Sequence, residues 1–133
     1  MQGEHDHPLV RVLLAEDNDD LRIVMPPLLD DTPDLRCVAA TSALGELPGL
    51  IREHQAQVVV LDIELRDGSA LKQLPTLSRD FPATRFVIHS GHCNPDLIRS
   101  ATAAGAAAYV RKSGDIDELI ASIRHLMRED AGA

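Results

Sequence analysis

The sequence predicts an α/β protein, an open five-stranded parallel sheet with helices on both faces. Three observations predict it. Short apolar runs alternate five times with stretches of helical period, the pattern of strand–helix–strand units joined by right-handed crossovers. Residues 58–61, Val-Val-Val-Leu, are apolar at every position, as a strand buried on both faces must be. Hydrophobic residues make up 44% of the 133 and charged residues 26%, which suits one globular domain. A chain of this length buries roughly 68% of its unfolded surface and needs no disulfide or metal to fold. Phe81, Phe86 and Tyr109 are the only aromatics and there is no Trp, so Val, Leu, Ile and Ala must fill the core.

Taken in order, residues 9–15 form a β-branched run read as the first strand. The first helix is read over residues 19–29, with Pro26 and Pro27 inside it. Each proline removes an intrahelical hydrogen bond at a cost of about 3 kcal/mol, so a kink or early stop is expected. Residues 35–39 make a weaker second strand, and Pro48 lies near the start of the second helix. After the third strand at 58–61, Pro75 raises the same expectation of a break in the third helix. Residues 85–89 are the fourth strand. Asn94-Pro95 opens the fourth helix, with Pro at its first position, and Gly105 is placed to end it in a left-handed conformation. Residues 106–111 are the fifth strand. Asp115 and Glu118 have the spacing of a capping box, and Ile116, Leu119, Ile120, Ile123, Leu126 and Met127 form the apolar stripe of a final helix. Residues 1–8 are read as a flexible segment, 9–128 as the domain and 129–133 as a tail.

Charge narrows the function. Lys plus Arg number 13 against 21 Asp plus Glu, a net charge of −8, which disfavours direct binding to nucleic acid or a membrane surface. No apolar run nears the ~20 residues of a membrane span, and the polar N-terminus has no signal-peptide core. Cys37 and Cys93 are too few for a disulfide framework, so a reducing cytoplasm is expected.

In an open parallel sheet the ligand site lies beyond the carboxyl ends of the strands, so the residues following each strand matter most. They are Glu16-Asp17, Asp62, Ser90-Gly91 and Lys112. Taken singly, most have plain explanations. An acidic pair caps a helix, Ser-Gly turns, Lys112 is a surface charge, and Tyr109 is half-buried packing. Asp62 is different, because a carboxylate after a core strand is costly to bury without a partner. Three crowded carboxylates repel one another; a hard divalent cation relieves this, and Mg²⁺ prefers one or two carboxylates with water and phosphate oxygens. A carboxylate left free is a nucleophile toward phosphorus. Ammonium and hydroxyl then stabilise the charge that spreads over the equatorial oxygens.

Four stretches carry a family resemblance: LLAEDN at 13–18, VVVLDIELRDGSAL at 58–71, FVIHSGH at 86–92 and AAGAAAYVRKS at 103–113. In this order and spacing the chain resembles the receiver domain of bacterial two-component response regulators. The resemblance implies strand order 2-1-3-4-5. It implies that Asp62 accepts a phosphoryl group from a phosphohistidine of a sensor histidine kinase or phosphotransfer protein, in a Mg²⁺-dependent step. Asp17 and Asp62 are then the direct metal ligands, Glu16 acts largely through water, and the backbone carbonyl of Glu64 completes the set. Ser90 is the hydroxyl that moves to the phosphoryl group, Lys112 pairs with it, and Tyr109 turns inward as Ser90 moves. The coupled surface, formed by the fourth helix, fifth strand and fifth helix, would bind a downstream protein partner or a second copy. Glu64 and His92 match positions that tune phosphoryl lifetime, so substituting Glu64 should change the autodephosphorylation rate without abolishing phosphorylation. The sequence departs from the family pattern at Ser113 and Arg66, where proline is common.

Two rivals stand beside this reading. A phosphate-independent adaptor of the same fold would have no need of all five reactive residues. A Mg²⁺ phosphohydrolase with an aspartyl intermediate usually carries Asp two residues after its nucleophile, where this chain has Glu64. His89, His92 and Cys93 lie close in sequence, but His89 and Ser90 should point to opposite faces of their strand and no fourth ligand is evident.

Overall fold

The computed structural model describes residues 9–132; the segment 1–8, with His5 and His7, lies outside them. Five parallel strands form the main sheet: β1 (Val10–Ala15), β2 (Leu35–Thr41), β3 (Val58–Leu61), β6 (Arg85–Ser90) and β7 (Ala108–Arg111). Their order is β2-β1-β3-β6-β7, the five-stranded order expected from the resemblance. The two remaining strands, β4 (Glu64–Leu65) and β5 (Gly68–Ser69), make a small antiparallel hairpin after β3. Sequence reading passed over this hairpin: Arg66-Asp67 forms its two-residue tip and is not the Asn-Gly or Asp-Gly pair by which such a loop is recognised in a sequence.

Strand alternation sorts the core into two layers. Leu13, Val59, Leu61, Phe86 and Ile88 face one side. There they meet Leu47 and Ile51 of α2 (Leu47–His54), Leu74 and Leu77 of α3 (Ala70–Asp80) and Ala101 of α4 (Pro95–Ala104). Val12, Leu14, Val58, Val60 and Val87 face the other side, against Met25 and Leu29 of α1 (Asp19–Asp30) and Leu119, Ile123 and Leu126 of α5 (Ile116–Gly132). Both faces of β3 are covered, which explains why its four residues are all apolar and all buried.

The prolines do not break their helices. α1 runs through Pro26 and Pro27, and α3 through Pro75. Burial of Met25 and Leu29 within the proline-bearing turns of α1, at about 1.5–3 kcal/mol each, offsets the lost hydrogen bonds. One freed carbonyl belongs to Ile23, a residue 71% exposed, so losing its intrahelical partner leaves no polar group in the core. Leu74 and Leu77 hold α3 in the same way. Asn94 caps α4 by accepting from Leu97 N, and Gly105 ends it at φ 121°. The capping box of α5 does not close. Asp115 accepts from Asp117 N, one position short of the expected amide, and Glu118 turns instead toward the Ser113 hydroxyl at 3.5 Å. α5 continues to Gly132, through most of the residues read as a tail. Among the described residues no helix is long and apolar enough to cross a membrane.

Candidate functional site

The order of strand addition reverses at β1: after β1 the chain goes to β2 on one side, then returns to β3 on the other. Crossovers therefore leave in opposite directions at this point and open a crevice at the carboxyl ends. Ala15 lies opposite Leu61, so the residues that follow, Glu16 and Asp62, emerge side by side. The backbone amide of Asp62 is fixed to Ala15 O at 2.9 Å. On the far side Ser90 lies opposite Arg111, and Lys112 N donates to Ser90 O at 2.8 Å. Sheet register alone thus gathers residues separated by nearly a hundred positions.

Lys112 Nζ bridges the acids. It lies 3.0 Å from Glu16 Oε1, 3.1 Å from Glu16 Oε2 and 3.3 Å from Asp62 Oδ2. Glu16 is 1% exposed, and burial pushes its carboxyl above the usual range, opposed by the Asn18 N–H and by Lys112. The Asn18 amide donates to Glu16 Oε2 at 2.9 Å. Asp17 is exposed, and its amide lies 3.4 Å from Asp62 Oδ2. The Ser90 side chain is buried, and its Oγ accepts from His92 N at 3.0 Å. The Tyr109 hydroxyl donates to the carbonyl of the same His92, so one exposed residue is held by both Ser90 and Tyr109. Glu64 is exposed at the start of the hairpin. The peptide bonds of the described residues are all trans, Lys112–Ser113 included.

Two contributors, Arg22 and Asp67, were not singled out from sequence. Arg22, one turn into α1, donates from Nη1 to the carbonyls of Glu16 at 3.1 Å and Asp17 at 3.4 Å, while Nη2 pairs with Asp19. It holds the acidic loop by its backbone. Asp67 holds the hairpin in a similar way, through contacts described below. His89, on the opposite face of β6 from Ser90, has a buried Nδ1 with no hydrogen-bond partner among the described residues. Burial first, and then the charge of Lys112, lower its pKa to about 4. The ring is therefore neutral at pH 7.

Fold and site together define a response-regulator receiver, and the chain belongs to that family: its residues 12–124 match the response regulator receiver domain. Among curated proteins it is 33% identical over 119 residues to the transcriptional regulatory protein UhpA of Salmonella typhimurium, covering 86% of this chain and 57% of that one. It is 28% identical over 104 residues to the DNA-binding transcriptional activator DevR/DosR of Mycobacterium tuberculosis, covering 78% of this chain and 48% of the relative. The chain thus spans about half the length of the curated relatives it matches. A DNA-binding response regulator of the LuxR family from Staphylococcus aureus superposes with a TM-score of 0.80 at 28% identity, over 88% of this chain and 98% of that one.

Proposed function

We propose that this chain is a phosphorylation-controlled switch in which Asp62 accepts the phosphoryl group from a phosphohistidine of a sensor histidine kinase or phosphotransfer protein. The bridge from Lys112 Nζ to both Glu16 and Asp62 carries the reading. A cation held between a buried acid and a less buried one is placed to neutralise charge arriving on Asp62. Once the Asp62 oxygen bonds to phosphorus and the P–N bond of the donor breaks, the added charge competes with Glu16 for the ammonium.

The residues fit Mg²⁺. Their donors are all oxygens, and the Asp17 amide and the Asp62 carboxylate are neighbours. Mg²⁺ is commonly held by one or two carboxylates and keeps several waters. Asp17, Asp62 and the Glu64 carbonyl would hold it, with Glu16 acting through water. When bound, the ion would neutralise the crowded carboxylates and the phosphoryl oxygens.

Switching would then pass through His92. Moving the Ser90 hydroxyl toward a phosphoryl oxygen removes the acceptor of the His92 amide. The residue whose carbonyl holds Tyr109 is thereby released. α4, β7 and α5, which frame Tyr109, would present the altered surface to a protein partner or a second copy.

The test is intact-mass analysis after incubation with acetyl phosphate and Mg²⁺. The chain should gain one phosphoryl group and Asp62→Asn none. A wild-type chain that stays unmodified, or a variant that is modified equally, refutes the assignment. Turnover of a phosphate monoester would favour the phosphohydrolase reading instead.

A further inference from the structure

The hairpin that follows Asp62 is anchored from outside itself. With two residues in each strand, Glu64 facing Ser69 and Leu65 facing Gly68, it is too short to be stable alone. Its base is closed by Ala70 N on Ile63 O at 2.7 Å. Its tip, Arg66-Asp67, is bound to the segment after β2. Arg66 N donates to Ser42 O at 3.0 Å. Asp67 accepts with both oxygens, Oδ1 from Leu44 N at 2.6 Å and Oδ2 from Gly45 N at 2.9 Å.

Those two amides open the 3-10 turn Leu44–Glu46, whose own N-cap, Ala43, has no side chain able to cap it. Asp67 is therefore the cap of a helical turn 22 positions away. The anchor is firm because Leu44 is buried in the core. Just upstream, Thr41 O accepts from Glu16 N at 2.9 Å. A closed circuit results: Asp62, the hairpin, Asp67, the 42–45 segment, Thr41 and Glu16. The two acids of the crevice are joined at its back by this circuit, as they are joined at the front by Lys112.

We propose that Asp67 is a positioning residue for the phosphoacceptor loop. By clamping the hairpin to the Leu44 and Gly45 amides it fixes the Glu64 carbonyl beside Asp62, and so sets how tightly Mg²⁺ is held. The proposal rests on the receiver mechanism above. Asp67 touches neither Asp62 nor the metal; it acts through the backbone it holds. Supporters of bound ligands commonly contribute 10- to 100-fold to metal affinity. The charge also matters, since the two N–H groups, Gly45 before Leu44, hold the Asp67 carboxyl below its usual range.

Calorimetric titration of Mg²⁺ into the unphosphorylated chain tests this. Asp67→Ala should weaken binding about tenfold. Asp67→Asn, whose amide keeps a single acceptor oxygen, should lie between it and wild type, and carries the comparison if the alanine variant does not fold. Asp34→Asn, which breaks a remote ion pair with Arg124, serves as the stability control. It should lower the melting temperature and leave Mg²⁺ affinity unchanged. Wild-type affinity in folded Asp67→Ala, or equal weakening in Asp34→Asn, overturns the proposal. Failure of the wild type itself to bind Mg²⁺ or to be phosphorylated overturns the receiver mechanism, and the proposal with it.

Discussion

At the scale of single residues the site is a balance between burial and pairing. Glu16 is nearly inaccessible and depends on Lys112, itself 21% exposed. Removing one partner of a buried pair leaves an uncompensated charge, so Lys112→Ala should lose about 3 kcal/mol at pH 7 in urea denaturation. Burial raises the Glu16 pKa, so the folded form takes up its proton more readily than the unfolded chain. Part of the loss should return as pH falls through the folded value, and a loss that does not shrink on acidification would contradict this account. His89 has the opposite sign. Its folded pKa of about 4 lies below the ordinary 6.5, so between these values the unfolded chain binds more protons and stability rises with pH. Acidification from pH 6.5 to 4 should cost on the order of 2 kcal/mol after solvent screening, and His89→Leu should flatten that slope. The convergence of Glu16, Asp62, Ser90 and Lys112 was legible in the sequence because each lies at the carboxyl end of a strand of a parallel sheet. Arg22 and Asp67 were not, because they act on backbone carbonyls and amides whose neighbours only the fold determines.

At the scale of elements, strand positions were the most readable feature. β3 matches its predicted span, because a run buried on both faces tolerates nothing polar. The span expected for α1 is close to the observed one, and the early stop expected at Pro26, Pro27 or Pro75 does not occur, because tertiary burial outlasts the local loss of hydrogen bonds. The end of α4 was readable from one glycine, and the structure adds a second reason for it. A Cβ on Gly105 would lie against Ser78 Oγ and 2.7 Å from Ser78 Cβ, and the Ser78 hydroxyl also donates to Ala104 O at 3.4 Å. α3 and α4 meet there with no space for a methyl group. Gly105→Ala combines an unfavourable positive φ with overpacking and should cost about 3 kcal/mol. Thermal melting should register a fall on the order of 10 °C, whereas an unchanged midpoint would contradict both the packing and the backbone argument at this position.

At the scale of the whole molecule, two aliphatic layers around one sheet build a rigid frame that leaves its reactive groups on a single edge. The five-strand pattern was visible in the sequence, and the order of the strands came with the family resemblance. The stitching of the hairpin to the β2 side was not visible, since it joins segments that no periodicity relates. Filling those layers with Val, Leu, Ile and Ala has an optical consequence. With no Trp and a single Tyr in the chain, near-ultraviolet emission comes almost wholly from Tyr109, the ring whose hydroxyl is tied to His92. The unlabelled protein therefore carries its own fluorescent reporter at the proposed switch. Acetyl phosphate with Mg²⁺ should change the tyrosine emission of the wild type and leave that of Asp62→Asn unchanged, and a silent wild-type signal during full phosphorylation would show that the ring stays in place.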